Sequence, residues 1–297
     1  MQQKKNITAV KVDLVTQSAW LAFGLLSAAL LTAPVTWAQV PERPRQSGRL
    51  LNPKPVHPAA PAGRAEYVLT DNDRRMIEQL LAEARPLAGS VTRMKLISSR
   101  LLGAPYLTHP LLGSLQEPEQ LSARMDGFDC VTYVETVLAL SRAANLDDFF
   151  QQLRALRYAG GEVSYATRLH FSTAWNKANI QRGILQDVTQ GALTAECLKT
   201  LGAAVGLPAR SERFRYFPKA KYAELTPTLR DGDLIFFVSG RQWLDTNHAG
   251  MVFRAGPQLL LRHASRSHTQ VTEQPLADFV SKNKMIGFIV ARPLATP

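Results

Sequence analysis

The chain has 297 residues, a net charge of +11 and two cysteines, Cys130 and Cys197. Much of the positive excess lies near the N-terminus, at Lys4, Lys5, Lys11, Arg43, Arg45, Arg49, Lys54 and Arg64, so it says little about the folded part. With no recognisable nucleic-acid motif beside it, nucleic acid is excluded as an expected partner, while attraction to anionic polymers and lipid head groups makes peripheral membrane association an expectation.

Residues 1–38 read as a secretory signal. Three lysines precede a stretch from Ala19 to Ala33 that is apolar but for Ser27 and Thr32, and Thr36-Trp37-Ala38 offers small residues before a cut. The apolar run is shorter than the roughly 20 residues that span a bilayer. A periplasmic or secreted protein is expected; the long, partly polar leader leaves an uncleaved N-terminal membrane anchor as the alternative. No cysteine near the cut offers a site for lipid. Residues 39–65 carry six prolines, from Pro41 to Pro61, and almost no large apolar side chains, which predicts an extended linker. Residues 66–297 are long enough for one domain, with 66–102 as a helical N-terminal elaboration.

The first predicted helix runs from Thr70 to Leu87, with Met76, Ile77, Leu80, Leu81 and Ala84 on one side, a capping Thr70 and a terminating Pro86. A second spans Ser90 to Leu102 and stops at Gly103-Ala104-Pro105. The third starts at Cys130 and reaches about Ala143, burying Val131, Val134, Val137, Leu138 and Ser141. Asp129 is its N-cap, and Phe128 and Tyr133 occupy the two positions of a hydrophobic staple. A fourth covers Leu146 to Arg157, and a short fifth lies around Ser172 to Ile180. Four strands follow, over Asp233–Val238, Ala249–Arg254, Leu259–Ala264 and Ile286–Arg292. Helices first and strands after argue for an α+β fold with an antiparallel sheet.

A cysteine at the first position of a helix sits at the positive end of the dipole, which favours its thiolate. Cys197 has no such context and reads as a small buried residue; a Cys130–Cys197 disulfide is the alternative for an oxidising compartment. Six histidines compete as the base. His57 falls in the linker, and His109 and His268 in polar or proline-rich loops. His248 and His263 lie at the ends of two strands of one predicted hairpin. An even hairpin loop makes facing positions sum to an odd number, as these two do, so both rings would share a face, opposite or one diagonal step apart. His248 would take the proton of Cys130, His263 would fix its tautomer, and the helix-start amides would face an oxyanion. Zinc is the rival for such ligands, but no Cys-x-x-Cys or His-Glu-x-x-His accompanies His263 and His268. No metal or organic cofactor is expected.

Phe128-Asp129-Cys130-Val131-Thr132-Tyr133-Val134-Glu135, Arg168-Leu169-His170-Phe171 with Trp175, Gly232-Asp233-Leu234-Ile235, Asn247-His248-Ala249-Gly250-Met251 and His263-Ala264-Ser265 follow in one order. From Leu102 to Pro293 the chain resembles the N-acetylmuramoyl-L-alanine amidase-like family, a branch of the NlpC-type, papain-like cell-wall cysteine peptidases. The resemblance implies a papain-like fold with the nucleophile helix packed on an antiparallel sheet. It implies Cys130 as nucleophile, His248 as base and His263 as orienting residue. It also implies substrate contacts for Tyr106, Arg168, His170 and Asp245, with Arg168 and His170 able to hold a carboxylate; a structural pair with an acid is the alternative for Arg168. Phe171 and Ala249 depart from the tyrosine and valine usual at those places.

The reading is an exported cysteine amidohydrolase, expected to act as a monomer, that cleaves an amide bond in peptidoglycan or muropeptides, the N-acetylmuramoyl-L-alanine bond first. The alternatives are a D,L-endopeptidase cutting between γ-D-glutamate and the diamino acid, an inactive peptidoglycan-binding module, and acyl transfer on lipids.

Overall fold

The computed structural model describes residues 67–295; the signal and linker expectations, residues 1–38 and 39–65, lie outside them. The first half is helical: α1 (Asp71–Ala84), α2 (Ser90–Arg100), α3 (Cys130–Arg142), α4 (Leu146–Arg157) and α5 (Ser172–Gln181). Helix starts follow local chemistry. Thr70 accepts from the Asp73 amide at 3.1 Å and Asn145 from the Asp148 amide at 2.9 Å. No side chain within α5's own first turn caps it.

Helix α3 is central, with α1, α2 and α4 packed on it and every residue from Thr132 to Ser141 buried. The Phe128 and Tyr133 rings meet edge to face at 5.8 Å, the staple that fixes the entry to the helix. Val131, expected among the buried positions, is 36% exposed. Its first-turn side chain instead borders a small hollow beside His170 and Trp175. Glu135 anchors the next turn, accepting from Arg157 Nε at 2.8 Å and Trp175 Nε1 at 3.1 Å.

The second half supplies β1 (Leu185–Asp187), β2 (Ala195–Leu201), β3 (Arg210–Pro218), the one-turn α6 (Tyr222–Leu225), β4 (Leu234–Val238), β5 (Thr246–Ala255), β6 (Gln258–Ser265), β7 (Gln270–Pro275), α7 (Leu276–Lys282) and β8 (Gly287–Pro293). They form one antiparallel sheet in the order β2-β3-β8-β4-β5-β6-β7, with β1 also on β8. The fold is α+β. Phe236, Met251 and Ile289 face the main helical layer, while Phe237, Val252 and Phe288 face α6 and α7. A sheet covered on both faces explains why Leu234–Val238 is buried at every position.

Four strands go beyond the four predicted. In β3, exposed Arg213 and Arg215 alternate with half-buried Phe214 and Tyr216, the pattern of a strand with one solvated face. β7 is polar at most positions and ends in proline. Cys197 lies on β2 opposite Phe214, half-buried where a fully buried residue was expected, and both cysteines are free thiols. No described helix is long and apolar enough to cross a membrane.

Candidate active site

Cys130 opens α3, and Asp129 organises its surroundings. The Asp129 carboxylate accepts from the amides of Val131 at 3.0 Å and Thr132 at 2.7 Å, and Thr132 Oγ1 accepts from the Asp129 amide at 3.0 Å. This reciprocal cap fixes the sulfur's position, but it also takes up the Val131 and Thr132 amides expected to face an oxyanion. The backbone amides of Ala249, Cys130 and Val131 act to lower the pKa of the thiol. Their pull is outweighed. Burial first, then the Asp129 charge, pushes the thiol up to about 12, against the thiolate expected at a helix start.

The histidines come together on the neighbouring hairpin. Ala255 pairs with Gln258, leaving the two-residue turn Gly256-Pro257, with Gly256 at φ 58° as a II′-type turn requires at its first position. The loop is even, and the Met251–Arg262 pairing places the two rings one diagonal step apart. His248 Nε2 lies 2.6 Å from His263 Nδ1, the rings edge to face at 87°. Gly250 makes room: a Cβ there would stand 3.0 Å from His263 Cβ. Between β4 and β5, a register shift leaves Asn247 as the extra residue just before His248. The His248 ring packs against Phe237 and Phe279, and Phe279 also meets His263. Burial lowers His248 to about 4; burial, then the charges of His248 and His268, lowers His263 to about 3. Both rings are neutral near pH 7. Among the described residues no hydrogen bond joins the thiol to His248, although β5 and β6 pack against α3.

The other expected site residues divide. Tyr106 is held by its amide on the Thr269 carbonyl at 2.8 Å and by pairing with Phe128. Its hydroxyl pKa is raised by burial and then by Cys130 and Asp129, which places it in the electrostatic surroundings of Cys130. The His170 Nε2–H donates to the Tyr165 carbonyl at 2.7 Å, and the ring borders the hollow beside Val131. Arg168 is engaged within the fold. Its guanidinium grips Glu119 with both Nε, at 2.8 Å, and Nη2, and Tyr158 donates to the same carboxylate. Asp245 is likewise engaged: it is buried and accepts from the amide and hydroxyl of Thr173 at 2.8 and 3.0 Å. It thereby supplies from a distant loop the cap that α5 lacks. For Arg168 this is the structural pair with an acid given as the alternative, and Asp245 is held in the same way within the fold.

A groove of about 370 Å³ runs beside the histidines, lined by Asn247, His248, His263, Arg266, Phe279 and Asn283 among others. Arg266 is exposed and forms no ion pair among the described residues. Neither it nor Gln274, whose side chain lies 2.8 Å from His263 Nε2, was singled out by the sequence. A strand assignment over Gln270–Pro275, with its two-residue period, would have placed Gln274 on the histidine face.

A family model described as AmiA-like, N-acetylmuramoyl-L-alanine amidase-like, matches residues 96–288. Among solved structures, an N-acetylmuramoyl-L-alanine amidase of Bacteroides uniformis is similar at 29% identity and a TM-score of 0.62, over 69% of this chain and 99% of that one. A Legionella pneumophila protein matches at 23% identity and a TM-score of 0.68, over 76% and 96%, a likeness of fold. No curated protein sequence matches. The chain belongs to the AmiA-like, N-acetylmuramoyl-L-alanine amidase-like family of hydrolases.

Proposed function

We propose that the protein is a papain-like cysteine amidohydrolase that cleaves an amide bond in peptidoglycan or its fragments, the bond between N-acetylmuramic acid and L-alanine first. The observation that carries this is the 2.6 Å contact between His248 and His263, on the two strands packed against α3, the helix that Cys130 opens. With His263 on Nε2, the nitrogen of His248 left for a thiol is Nδ1. A thiol near 12 beside an imidazole near 4 gives a neutral resting pair, so His248 acts as a general base during attack. Contacts of this kind are often long before substrate binds and tighten in the complex.

The sulfur bonds the amide carbonyl carbon as its proton passes to His248 Nδ1. That proton then goes to the leaving nitrogen, the C–N bond breaks, and a thioester to Cys130 remains. Water gives a proton to His248, its oxygen bonds the same carbon, and the C–S bond breaks with the sulfur regaining a proton. The amide of Cys130 and the Tyr106 hydroxyl are the donors available to the carbonyl oxygen. The leader-like residues 1–38 support a location outside the cytoplasm, where the intact polymer lies.

Cys130→Ala should abolish release of stem peptides from purified wall, and retained release would refute the proposal. Mass spectrometry of the products identifies the bond: a free lactyl sugar marks the muramoyl–alanine amide, and a retained L-Ala-D-Glu stub marks cleavage within the stem.

A further inference from the structure

Gln274 occupies the third strand of the histidine system. On β7, Thr272 pairs with His263, so Gln274 lies one diagonal step on and projects to the same face. The structure sets its Nε2 at 2.8 Å from His263 Nε2, and a half-turn of the amide would put Oε1 there instead. The amide, His263 and His248 thus form a line of two hydrogen bonds ending at His248 Nδ1.

Protons along that line are ordered. With the amide NH2 toward His263, Nε2 of His263 accepts, its ring proton sits on Nδ1, and it donates to His248 Nε2. His248 then carries its proton on Nδ1 and has no lone pair there for a thiol. A half-turn of the amide exchanges oxygen for nitrogen and moves no other heavy atom. The His263 Nε2–H then donates to the carbonyl oxygen, His263 Nδ1 accepts from the His248 Nε2–H, and His248 Nδ1 is open to a thiol.

We infer that Gln274 is the positioning residue that sets the tautomers of both histidines, holding its carbonyl oxygen, not its amino group, on His263 Nε2. The inference rests on the reading of His248 as the base for Cys130. A neutral amide suits this task, because it orients the ring without favouring an imidazolium as a carboxylate would. The charged and titratable groups beside the pair are Arg266 in the groove lining and His268, both from the turn after β6; β4 and α7 present Phe237 and Phe279, and no carboxylate lines the groove. Burial therefore acts unopposed in keeping both rings neutral.

The test is nitrogen-15 NMR of histidine-labelled full chain carrying Cys130→Ala, near neutral pH, which distinguishes protonated from bare ring nitrogens. The expected result is a proton on Nε2 of both His248 and His263; a proton on Nδ1 of His263 overturns the inference. This readout needs no turnover, so it fails or succeeds separately from the wall-digestion test of Cys130. In the enzyme with its cysteine, Gln274→Met should lower kcat about tenfold to a hundredfold with KM little changed. Gln274→Glu should recover most of that loss and move the acid limb of the rate profile to higher pH, since a carboxylate raises the histidine pKa. A fully active Gln274→Met, or an unmoved acid limb in Gln274→Glu, would overturn it.

Discussion

Removing the carboxylate of Glu135 while keeping the side chain's bulk, as Glu135→Leu does, should destabilise the protein from the buried side of α3. Glu135 and Arg157 are each 2% exposed, and Arg157 also donates to the Ser122 carbonyl at 2.8 Å. The substitution leaves a guanidinium without its counter-charge in the core, a loss of about 3–5 kcal/mol. It also orphans the Trp175 N–H, for roughly 1 kcal/mol more. For a domain of this size each kcal/mol moves Tm by about 2–4 °C, so the midpoint should fall by roughly 10–20 °C. Thermal and urea unfolding followed by circular dichroism measure both quantities. The double variant Glu135→Leu, Arg157→Met should regain most of the loss, because the buried charge is then gone. A single-variant loss below about 1 kcal/mol, or a double variant as weak as the two singles added, would refute the account.

With a neutral thiol and imidazole at rest, kcat/KM should rise as pH climbs through about 4, where His248 loses its proton, and stay level through neutrality because Cys130 ionises only near 12. An acid limb at 6–7 in a pH-rate profile would show a solvated histidine instead. Arg168→Met should destabilise the fold by about 3 kcal/mol, since Glu119 is buried and loses its partner. Arg266→Ala should leave Tm nearly unchanged but raise KM for an anionic muropeptide at low salt, which steady-state kinetics would detect.

Local chemistry made the helices legible. Thr70, Asp129 and Pro86 act on the residues beside them, and the buried runs of β4 and β8 declare themselves by composition. β2, β3 and β7 did not, because strands with a solvated face at or near the sheet's edges carry arginine, glutamate and glutamine among their apolar positions. The histidine pair was legible because a two-residue turn fixes its parity. Gln274 was not, since it arrives from another strand. Arg168 and Asp245 stood in motifs that suggested substrate, yet their partners, Glu119 and Thr173, lie far off in the chain and meet them only in the fold. The pKa of Cys130 has the same two scales: the helix start is local, whereas the desolvation that raises it belongs to the packed molecule.

The capping carboxylate of Asp129 has a consequence for the chemical durability of the sulfur. Peroxides and electrophiles attack thiolates, and climbing the ladder to sulfenic and sulfinic acid begins with that anion. Burial and the Asp129 charge hold Cys130 as the thiol far beyond neutral pH. Under the mechanism proposed above, a sulfur kept in its protonated form is shielded from oxidants between turnovers, and its reactivity is released only when a carbonyl carbon and a base meet it together.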